Sequence, residues 1–426
     1  MKIALLSFEY PPETGYGGIG TYTWYQARAL VKLGHQVDVL CGSAEPGPVR
    51  ESGHDGVRVF RFRTSGLLMR GFQTLGRWRL WWSKNRLENA LSMHRAFREL
   101  NALNQYDIVE MPECGAEGLW INNLNAAKSI VRLHSPAELI MPYYEVKKTD
   151  IRLCSFIERL ALRRVNAFSA CSQFMQDEAR EKLHISKPIC VIPNGIDLEM
   201  FDSEEQIDIR KKFAIPPRNL IILFSGRLEN RKGIQLCKEI ARSLLERFEI
   251  SFLFAGQDLF GYMSRVLLPY LKSKTLRGSV HYAGRLDQQT LHSCLKQSDI
   301  FFLPSLWENC PYSCLEAMAA QRAIVSSDQG GMPELIHDGE NANGLLARNG
   351  DTEAYRISLE RLIEDSGLRE RLGSSARKTV EQRHRDTHTG MLSANFYRDF
   401  LNHGSTGDLL ETKAIDKPAF KDSVET

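Results

Sequence analysis

Residues 2–30 read KIALLSFEYPPETGYGGIGTYTWYQARAL: an apolar run, a glycine-containing loop and then a helix-like pattern over 19–33. Such a short apolar run is typical of a buried β-strand. The pattern recurs with the runs QVDVLC, DIVEM, SIVRLH, FSACS and ICVIP, and later with LIILFSG, SFLFAG, SVHYAG, IFFLPS and AIVSS. Helix-like segments such as 86–103 and 173–183 lie between them. This alternation predicts parallel sheets covered by helices on both faces.

The turn-rich acidic stretch PNGIDLEMFDSEEQ, beginning at residue 193, is typical of a domain boundary. We therefore predict two doubly wound α/β domains, 1–200 and 201–385, followed by a last helix over 386–402. Residues 403–426 have little periodicity, which predicts a disordered tail. Ligands of open α/β sheets bind at the carboxyl ends of the strands, so two facing domains predict a two-substrate enzyme. Two domains with separate activities are the alternative.

The composition is that of a soluble globular protein, with 43% hydrophobic and 25% charged residues. No apolar run reaches the roughly 18–20 residues that span a bilayer, and the N-terminus lacks the pattern of a signal peptide. The nine cysteines include no C-x-x-C pair, which favours reduced thiols in a cytoplasmic protein without zinc. A net charge of +3 argues against a nucleic-acid-coating surface.

Residues 58–98 form a local exception to this balance. They contain many cations and one acid, Glu88, together with three tryptophans. One interpretation is a solvated helix face with core tryptophans. The other is a surface that docks on an anionic membrane or an anionic acceptor. The residues concerned are Arg58, Arg61, Arg63, Arg70, Arg77, Arg79, Lys84, Arg86, Arg95, Arg98, Trp78, Trp81 and Trp82.

Gly15, Gly17 and Gly20 spell G-x-G-x-x-G, the dinucleotide-binding pattern. That pattern requires the first glycine directly after the strand and an acid at the tip of the second strand. Here FEYPPET separates Ser7 from Gly15, and Asp38 lies inside the second strand. We therefore disfavour a dinucleotide site. The glycine amides at a helix start could instead bind another anion, and a plain surface loop is the alternative.

The second half carries further polar residues after predicted strands. Arg227 follows a strand end and Lys232 precedes a helix in FSGRLENRKGIQL, where two cations could pair with a diphosphate. Glu308 and Glu316 follow the next such strand in PSLWENCPYSCLEAMAA. Glu316 has two interpretations: the end of a capping box that starts at Ser313, or a ligand contact.

Together these motifs resemble retaining glycosyltransferases of family 4, over roughly residues 1–400. They are YPPETGYGGIGTYTWYQARALVKLGHQVDVL, RLHS with His134, VIPNGID, SGRLENRKGI, the E-x7-E from Glu308 to Glu316, GGMPELI and NGLLARNGD. The resemblance implies the GT-B fold, with the last helix crossing back to the N-terminal domain. It also implies sugar transfer from a nucleotide-sugar to an acceptor, with the anomeric configuration retained.

The family's donor-site roles carry over by position. The resemblance implies that Arg227 and Lys232 hold the diphosphate and stabilise the leaving group. Glu308 would contact the donor sugar, Glu316 the ribose hydroxyls, and Arg285 would lie at the nucleobase pocket.

The loop residues Gly17 and Gly18 would bring amides to the phosphate and sugar, and His134 would lie beside the reacting sugar. The chain departs from the family at the usual E-G-F-G-L segment, which here reads ENCPY. Pro311 removes one amide donor, so the sugar contacts differ from the usual pattern. The donor-binding residues predicted in this segment are Glu308, Asn309, Cys310, Pro311 and Tyr312.

The chain contains no Asp-x-Asp motif, so we expect no metal and no other cofactor. Two cations and a helix N-terminus could stabilise the departing nucleotide diphosphate instead. The expected partners are a UDP- or GDP-linked sugar and a glycan or lipid-linked acceptor. The alternative is a nucleotide-sugar-binding or epimerase-type protein on the same fold that transfers nothing.

Overall fold

The computed structural model describes residues 1–14, 17–43, 45, 49–63, 80–121, 127–271 and 276–403. The predicted tail from residue 404 onward lies outside these ranges. The chain builds two separate β-sheets, the first from strands before residue 192 and the second from strands after residue 219. The domain limits proposed from the sequence stay predictions.

Sheet 1 has the strand order β3-β4-β2-β1-β5-β6-β7-β8. All its neighbours pair in parallel except β3, which runs antiparallel to β4. The sequence patterns did not predict this β3–β4 pair. The strands are β1 (Lys2–Ser7), β2 (Gln36–Gly42), β3 (Arg50–His54), β4 (Val57–Phe62), β5 (Ile108–Pro112), β6 (Lys128–Leu133), β7 (Ala167–Ala170) and β8 (Ile189–Val191).

Sheet 2 is parallel throughout, with the order β11-β10-β9-β12-β13-β14. Parallel strands place all their carboxyl ends at one edge, where a ligand site can form. The strands are β9 (Leu220–Ser225), β10 (Ile250–Ala255), β11 (Ser279–Gly284), β12 (Ile300–Leu303), β13 (Ala323–Ser327) and β14 (Leu345–Ala347).

Helices connect the strands. The predicted helix at 86–103 begins earlier, at Trp81. The helices are α1 (Gly18–Lys32), α2 (Trp81–Asn104), α3 (Ala137–Ile140), α4 (Lys148–Leu162), α5 (Gln173–Glu181), α6 (Leu198–Ser203), α7 (Ile209–Phe213), α8 (Ile234–Arg247), α9 (Leu268–Leu271), α10 (Gln288–Gln297), α11 (Tyr312–Ala319), α12 (Met332–Leu335), α13 (Thr352–Glu364), α14 (Ser366–Arg383) and α15 (Asp386–His403).

The inner strands of each sheet are buried on both faces, which explains their continuous apolar runs. In β9, Ile221 and Leu223 pack into one core, while Ile222 and Phe224 pack into another on the opposite face. The strands of sheet 1 divide between two cores in the same way. The predicted doubly wound α/β fold is therefore confirmed.

The last helix, α15, packs on the first domain, as the resemblance implied. Tyr397 and Phe400 belong to the same core as Ile3 and Leu5 of β1. The Tyr397 hydroxyl donates a hydrogen bond of 2.6 Å to the carboxylate of Glu110 in β5. The chain therefore crosses between the domains twice. Among the described residues, no helix has the length and apolar character needed to cross a membrane.

Candidate active site

The carboxyl ends of the two sheets face each other and are in direct contact, and this interface is called the cleft below. His134 directly follows β6 of sheet 1, and Asn309 lies in the loop after β12 of sheet 2. The Asn309 side-chain amide donates a 2.9 Å hydrogen bond to the carbonyl oxygen of His134. It also contacts Cys171 and Ser172, which follow β7. Residues predicted from separate halves of the sequence are therefore in contact.

A buried ion-pair cluster occupies the sheet 2 side of the cleft. The Lys232 ammonium pairs directly with the Glu308 carboxylate, and their side chains are only 12% and 7% exposed. The Arg231 guanidinium lies 3.4 Å from the same carboxylate, and the Ser305 hydroxyl donates to it at 3.1 Å. Glu229 pairs with Arg231 as well, and Arg227 lies beside Glu229. Three cations thus meet two carboxylates, and one positive charge is left for a ligand anion.

Together, burial and neighbouring charges lower the pKa of both Lys232 and Glu308. Burial lowers the pKa of Lys232, and the nearby Arg231 adds to this, although Glu308 opposes it. Burial alone would raise the pKa of Glu308, but Lys232 and Arg231 outweigh it and hold that pKa below its usual value. The Glu308 carboxylate is therefore ionised at neutral pH.

A glycine turn places Lys232 in this cluster. Gly233 has φ +71°, and a Cβ at this position would lie 1.8 Å from the carbonyl oxygen of Pro304. Only glycine allows such an approach. The loop after β9 thus packs against the loop after β12, and this contact explains why Lys232 and Glu308 meet.

Arg227 lies at the solvent-accessible edge of the cluster, with its side chain 48% exposed. It is 3.4 Å from the carboxylate of Glu229, which also pairs with Arg231 at 3.1 Å. Arg227 and Lys232 are therefore joined through intervening charges rather than directly. The Tyr144 hydroxyl, from the first domain, donates to Glu229 at 3.1 Å.

The capping-box interpretation of Glu316 is wrong. Helix α11 begins at Tyr312 with Pro311 at its N-cap, so Ser313 lies inside the helix and no side chain caps it. Burial raises the pKa of Glu316 to about 8, and the charge of Glu204 contributes. No hydrogen bond to its carboxylate is found among the described residues, which leaves both oxygens available to ligand hydroxyls.

This shift predicts a pH dependence of nucleotide binding. A carboxylate accepts hydrogen bonds from ribose hydroxyls best when it is ionised. Below its pKa of about 8 the Glu316 carboxyl is protonated, so it must lose a proton when the nucleotide binds. We expect the affinity for UDP to rise by at most about tenfold per pH unit from pH 6 to pH 8 and then to level off. Isothermal titration across this range measures it. Glu316→Gln should remove this rise, and equal slopes in both proteins would contradict the role.

His134 is buried and neutral. Its backbone N–H and that of Ser135 donate to the Glu113 carboxylate at 2.9 and 2.5 Å. Its ring packs edge-on against Tyr22 at 4.8 Å. Burial, and then the charge of Arg132, lowers its pKa well below the usual value. The ring is thus uncharged at neutral pH and is packed against Tyr22.

If the neutral His134 ring contacts the sugar rather than the phosphates, as predicted, His134→Ala should lower sugar transfer much more than UDP affinity. Initial rates and UDP titrations on the same preparations measure the two effects. The wild-type rate should also show no histidine titration near pH 6.5. A parallel loss of transfer and UDP affinity would instead mean that His134 is structural.

The glycines Gly17 and Gly18 lie at the start of α1, as predicted. Gly17 is the N-cap residue, and a Cβ there would lie 2.2 Å from the Glu9 carboxylate. A Cβ on Gly18 would meet no atom within 4 Å. Gly18 thus borders open space at a helix N-terminus, where amides favour anions. Gly15 lies outside the described residues.

The ENCPY segment makes contacts in both domains. The Cys310 carbonyl oxygen accepts a 2.9 Å hydrogen bond from the Asn194 side chain. The Tyr312 ring stacks on Tyr25 of α1 at 5.4 Å, and its buried hydroxyl has no hydrogen-bond partner within the described ranges. Arg285, predicted at the nucleobase pocket, is exposed at the end of β11, the outermost strand of sheet 2.

Sequence reasoning missed Arg231, Glu113 and Asn194. Arg231 is adjacent to Lys232, and only its burial distinguishes it from a solvated cation. Glu113 follows β5 at the same sheet edge as His134, which was the one signal that could have identified it.

The basic stretch 58–98 divides into different environments. Arg58 pairs with Asp38 at 2.6 Å. Arg86 is buried against Glu158, and Arg61 is buried and donates to the carbonyl oxygen of Pro11 at 2.6 Å. These three cations are structural. Arg63, Arg95 and Arg98 are exposed, as are Trp81 and Trp82, while Arg70, Arg77, Trp78 and Arg79 lie outside the described residues.

Family models match both halves of the chain. Residues 16–200 match the model of Glycosyltransferase Family 4, and residues 205–379 match that of Glycosyl transferases group 1. An uncharacterized glycosyltransferase of Methanocaldococcus jannaschii is 27% identical over 93% of this chain and 98% of its own length. Alpha-maltose-1-phosphate synthase of Mycolicibacterium smegmatis is 25% identical over 85% of this chain and 89% of its own length.

Solved structures share the fold. Sucrose-phosphate synthase from Thermosynechococcus elongatus superposes with a TM-score of 0.77 at 18% identity, covering 94% of this chain and 99% of that one. HepE from Anabaena, in complex with UDP and glucose, superposes with a TM-score of 0.68 at 18% identity, covering 94% of this chain and 100% of that one. With adjoining family models across its length and this fold, the chain belongs to the family 4, group 1 glycosyltransferases of GT-B architecture.

Proposed function

We propose that the protein transfers a hexosyl group from a UDP- or GDP-linked sugar to a glycan or lipid-linked acceptor, with retention of the anomeric configuration. The observation that carries this proposal is the buried cluster of Lys232, Arg231 and Glu308 opposite His134. With Arg227 and Glu229 included, the cluster has three cations and two carboxylates. The remaining positive charge suits a diphosphate, and a neutral histidine at the other edge suits a sugar.

In this proposal the protein stabilises the leaving group and orients the reactants. The bond from the sugar C1 to the diphosphate oxygen breaks, and the acceptor oxygen bonds to C1 on the same face. The acceptor proton moves to the departing phosphate oxygen, so no side chain need act as base. Lys232 and Arg227 would stabilise the negative charge that develops on the diphosphate.

A metal-free reaction is part of the proposal. No group of three or more His, Cys, Asp or Glu that could hold a metal ion is present among the described residues. The cations at the sheet 2 edge and the amides at the start of α1 would supply the positive potential. Steady-state rates with and without EDTA test this point, and a loss of activity that Mg²⁺ restores would contradict it.

Exposed apolar and basic residues on the first domain support peripheral membrane association and synthesis of a membrane-linked glycan. On α4, Phe156 and Leu160 are 57% and 40% exposed, and Arg152 and Arg163 are exposed on the same outward side. Helical spacing places these four residues together. Exposed tryptophans at the start of α2 add to the apolar surface. Cations beside exposed aromatic residues are typical of protein surfaces that bind anionic membranes.

Sedimentation with anionic and neutral liposomes tests this association. We expect binding to anionic vesicles at low salt, weaker binding at high salt, and a loss of binding in a variant with Phe156→Ser and Arg152→Ser. A matched control changes the exposed Ile357 of the second domain to Ser. Equal sedimentation of all three proteins, or none at low salt, would favour a soluble acceptor.

A donor screen tests the transferase itself. A ligand at about 100 times its Kd adds roughly 2.7 kcal/mol of stability, so a thermal-shift panel of nucleotide-sugars identifies the donor. Radiolabelled donor is then incubated with membrane and oligosaccharide extracts. Labelled glycan or lipid supports the proposal. Binding without transfer or hydrolysis would indicate a binding protein, and interconversion of the sugar would indicate an epimerase.

A further inference from the structure

The chain passes between the domains at two adjacent points, and hydrogen bonds join these crossings. The Ile196 N–H donates to the His384 carbonyl at 2.8 Å, and the Asp386 N–H donates to the Ile196 carbonyl at 3.0 Å. A Cβ on Gly195 would lie 2.1 Å from the Thr389 hydroxyl, so the crossings are closely packed. Any movement of one domain against the other must act through this region.

Asn194 joins three parts of the molecule at these crossings and is only 3% exposed. Its side-chain oxygen accepts from the Arg132 guanidinium at 3.1 Å. Its side-chain amide donates to the Cys310 carbonyl at 2.9 Å, and its backbone carbonyl accepts from the His384 ring at 2.9 Å. One residue therefore contacts sheet 1, the segment after β12 and the second crossing.

Arg132 gives Asn194 a rigid attachment. It lies in β6, two residues before His134, and is 1% exposed. It also donates to the carbonyl oxygens of Ala170 at 3.2 Å and Ile192 at 2.6 Å, and it stacks over Tyr22 at 4.8 Å. A buried charge with several fixed partners has little freedom to move.

The Cys310 carbonyl lies where a hydrogen bond from Asn194 can hold the whole segment in place. It precedes Pro311, which has no N–H to donate, and the first carbonyl used by α11 is that of Pro311. On one side of Cys310, Asn309 reaches the His134 carbonyl at 2.9 Å. Beyond Asn309, Glu308 pairs with Lys232. Fixing Cys310 therefore fixes the proposed sugar contacts relative to His134.

We propose that Asn194 is a positioning residue for the transfer reaction, holding the segment 308–312 in register with His134 while leaving the diphosphate contacts untouched. This inference rests on the proposed function. It assigns to a residue at the domain crossing a role in sugar alignment, separate from nucleotide binding by Arg227, Lys232 and Glu316.

Asn194→Asp tests the link selectively. The aspartate still accepts from Arg132 but presents an oxygen, without a proton, to the Cys310 carbonyl. Asn219→Asp is the matched control. Asn219 is 7% exposed, and its amide likewise donates to a carbonyl, that of Ile250, at 3.1 Å. It precedes β9 at the amino edge of sheet 2, away from the cleft.

We expect Asn194→Asp to lower turnover of the donor identified in the screen, by transfer or hydrolysis, by at least about tenfold. The affinity for UDP, or for GDP where the donor is GDP-linked, should stay within about threefold of wild type. Hydrogen exchange of the peptide covering 308–312 should become faster. The Asn219→Asp protein should match wild type in all three measurements. Should the aspartate variant fail to fold, Asn194→Ala, which removes both side-chain bonds without adding charge, is measured in the same way.

Equal turnover in the Asn194 and Asn219 variants would overturn the inference, as would a loss of UDP affinity parallel to the loss of turnover. Failure of the proposed function is distinguishable. In that case the wild-type protein itself binds neither UDP nor GDP and turns over no donor of the screen, before any variant is compared.

Discussion

Lys232→Ala should lower sugar transfer by about 10² to 10³-fold while the protein remains folded. Loss of a positioned charge at a developing anion costs about 2.7–4 kcal/mol of transition-state stabilisation. Folding should persist because Arg231 lies 3.4 Å from the Glu308 carboxylate and still neutralises it. Initial rates with the donor identified in the screen, beside circular dichroism, give the two readouts.

Two comparisons sharpen this prediction. Lys238→Ala changes a lysine of α8 that pairs with the exposed Glu239, and it should leave transfer unchanged. Arg227→Ala should also lower transfer strongly, with little effect on stability, because its side chain is 48% exposed. Undiminished transfer in both the Lys232 and Arg227 variants would remove the basis for a diphosphate site here.

Glu308→Ala should have the largest effect on stability, about 3–5 kcal/mol in the free energy of unfolding, because it leaves a buried cation without its partner. Glu308 is the only carboxylate paired with Lys232 among the described residues. Arg231 retains Glu229, so Lys232 is the group that becomes unpaired. Urea unfolding followed by tryptophan fluorescence measures the change.

The matched control for this loss is Glu246→Ala on α8. Glu246 pairs with Arg242 on an exposed surface, with side chains 43% and 38% exposed. Such a solvent-exposed pair contributes little to stability. Glu308→Gln should lie between the two, since the amide oxygen still accepts from Lys232. A Glu308→Ala protein as stable as the Glu246→Ala protein would show that the cluster is solvated in solution.

The fold could be predicted from the sequence because its strands are short apolar runs separated by helices. Both faces of such strands are covered, so runs such as LIILFS around Ile222 carry no polar alternation. The β3–β4 pair escaped prediction because β3 (RESGH) is polar and largely exposed. A polar edge strand has the composition of a loop.

The site was predictable as a set of strand-end residues, but its pairings were not. The contact of Lys232 with Glu308 depends on the close approach at Gly233, which is a tertiary event. The capping box at Ser313 failed because Pro311 starts α11 two residues earlier than that box requires. A local motif such as the capping box can be overridden by a neighbouring proline, and the folded structure is needed to see which of the two sets the helix start.

The basic stretch shows the same limit. Arg61 and Arg86 have the sequence context of surface cations, yet both are buried with specific partners in the first domain. Charge counting along the chain cannot separate a structural arginine from a docking surface, because it ignores what each side chain meets across the fold.

Retaining transfer from a nucleotide-sugar is tested most directly by the anomeric configuration of the product. The wild-type protein is incubated with the α-linked donor found in the screen and with the labelled acceptor, and the new glycosidic bond is examined by proton NMR. We predict an α-linked product and release of the nucleoside diphosphate. A β-linked product would contradict the account of the reaction.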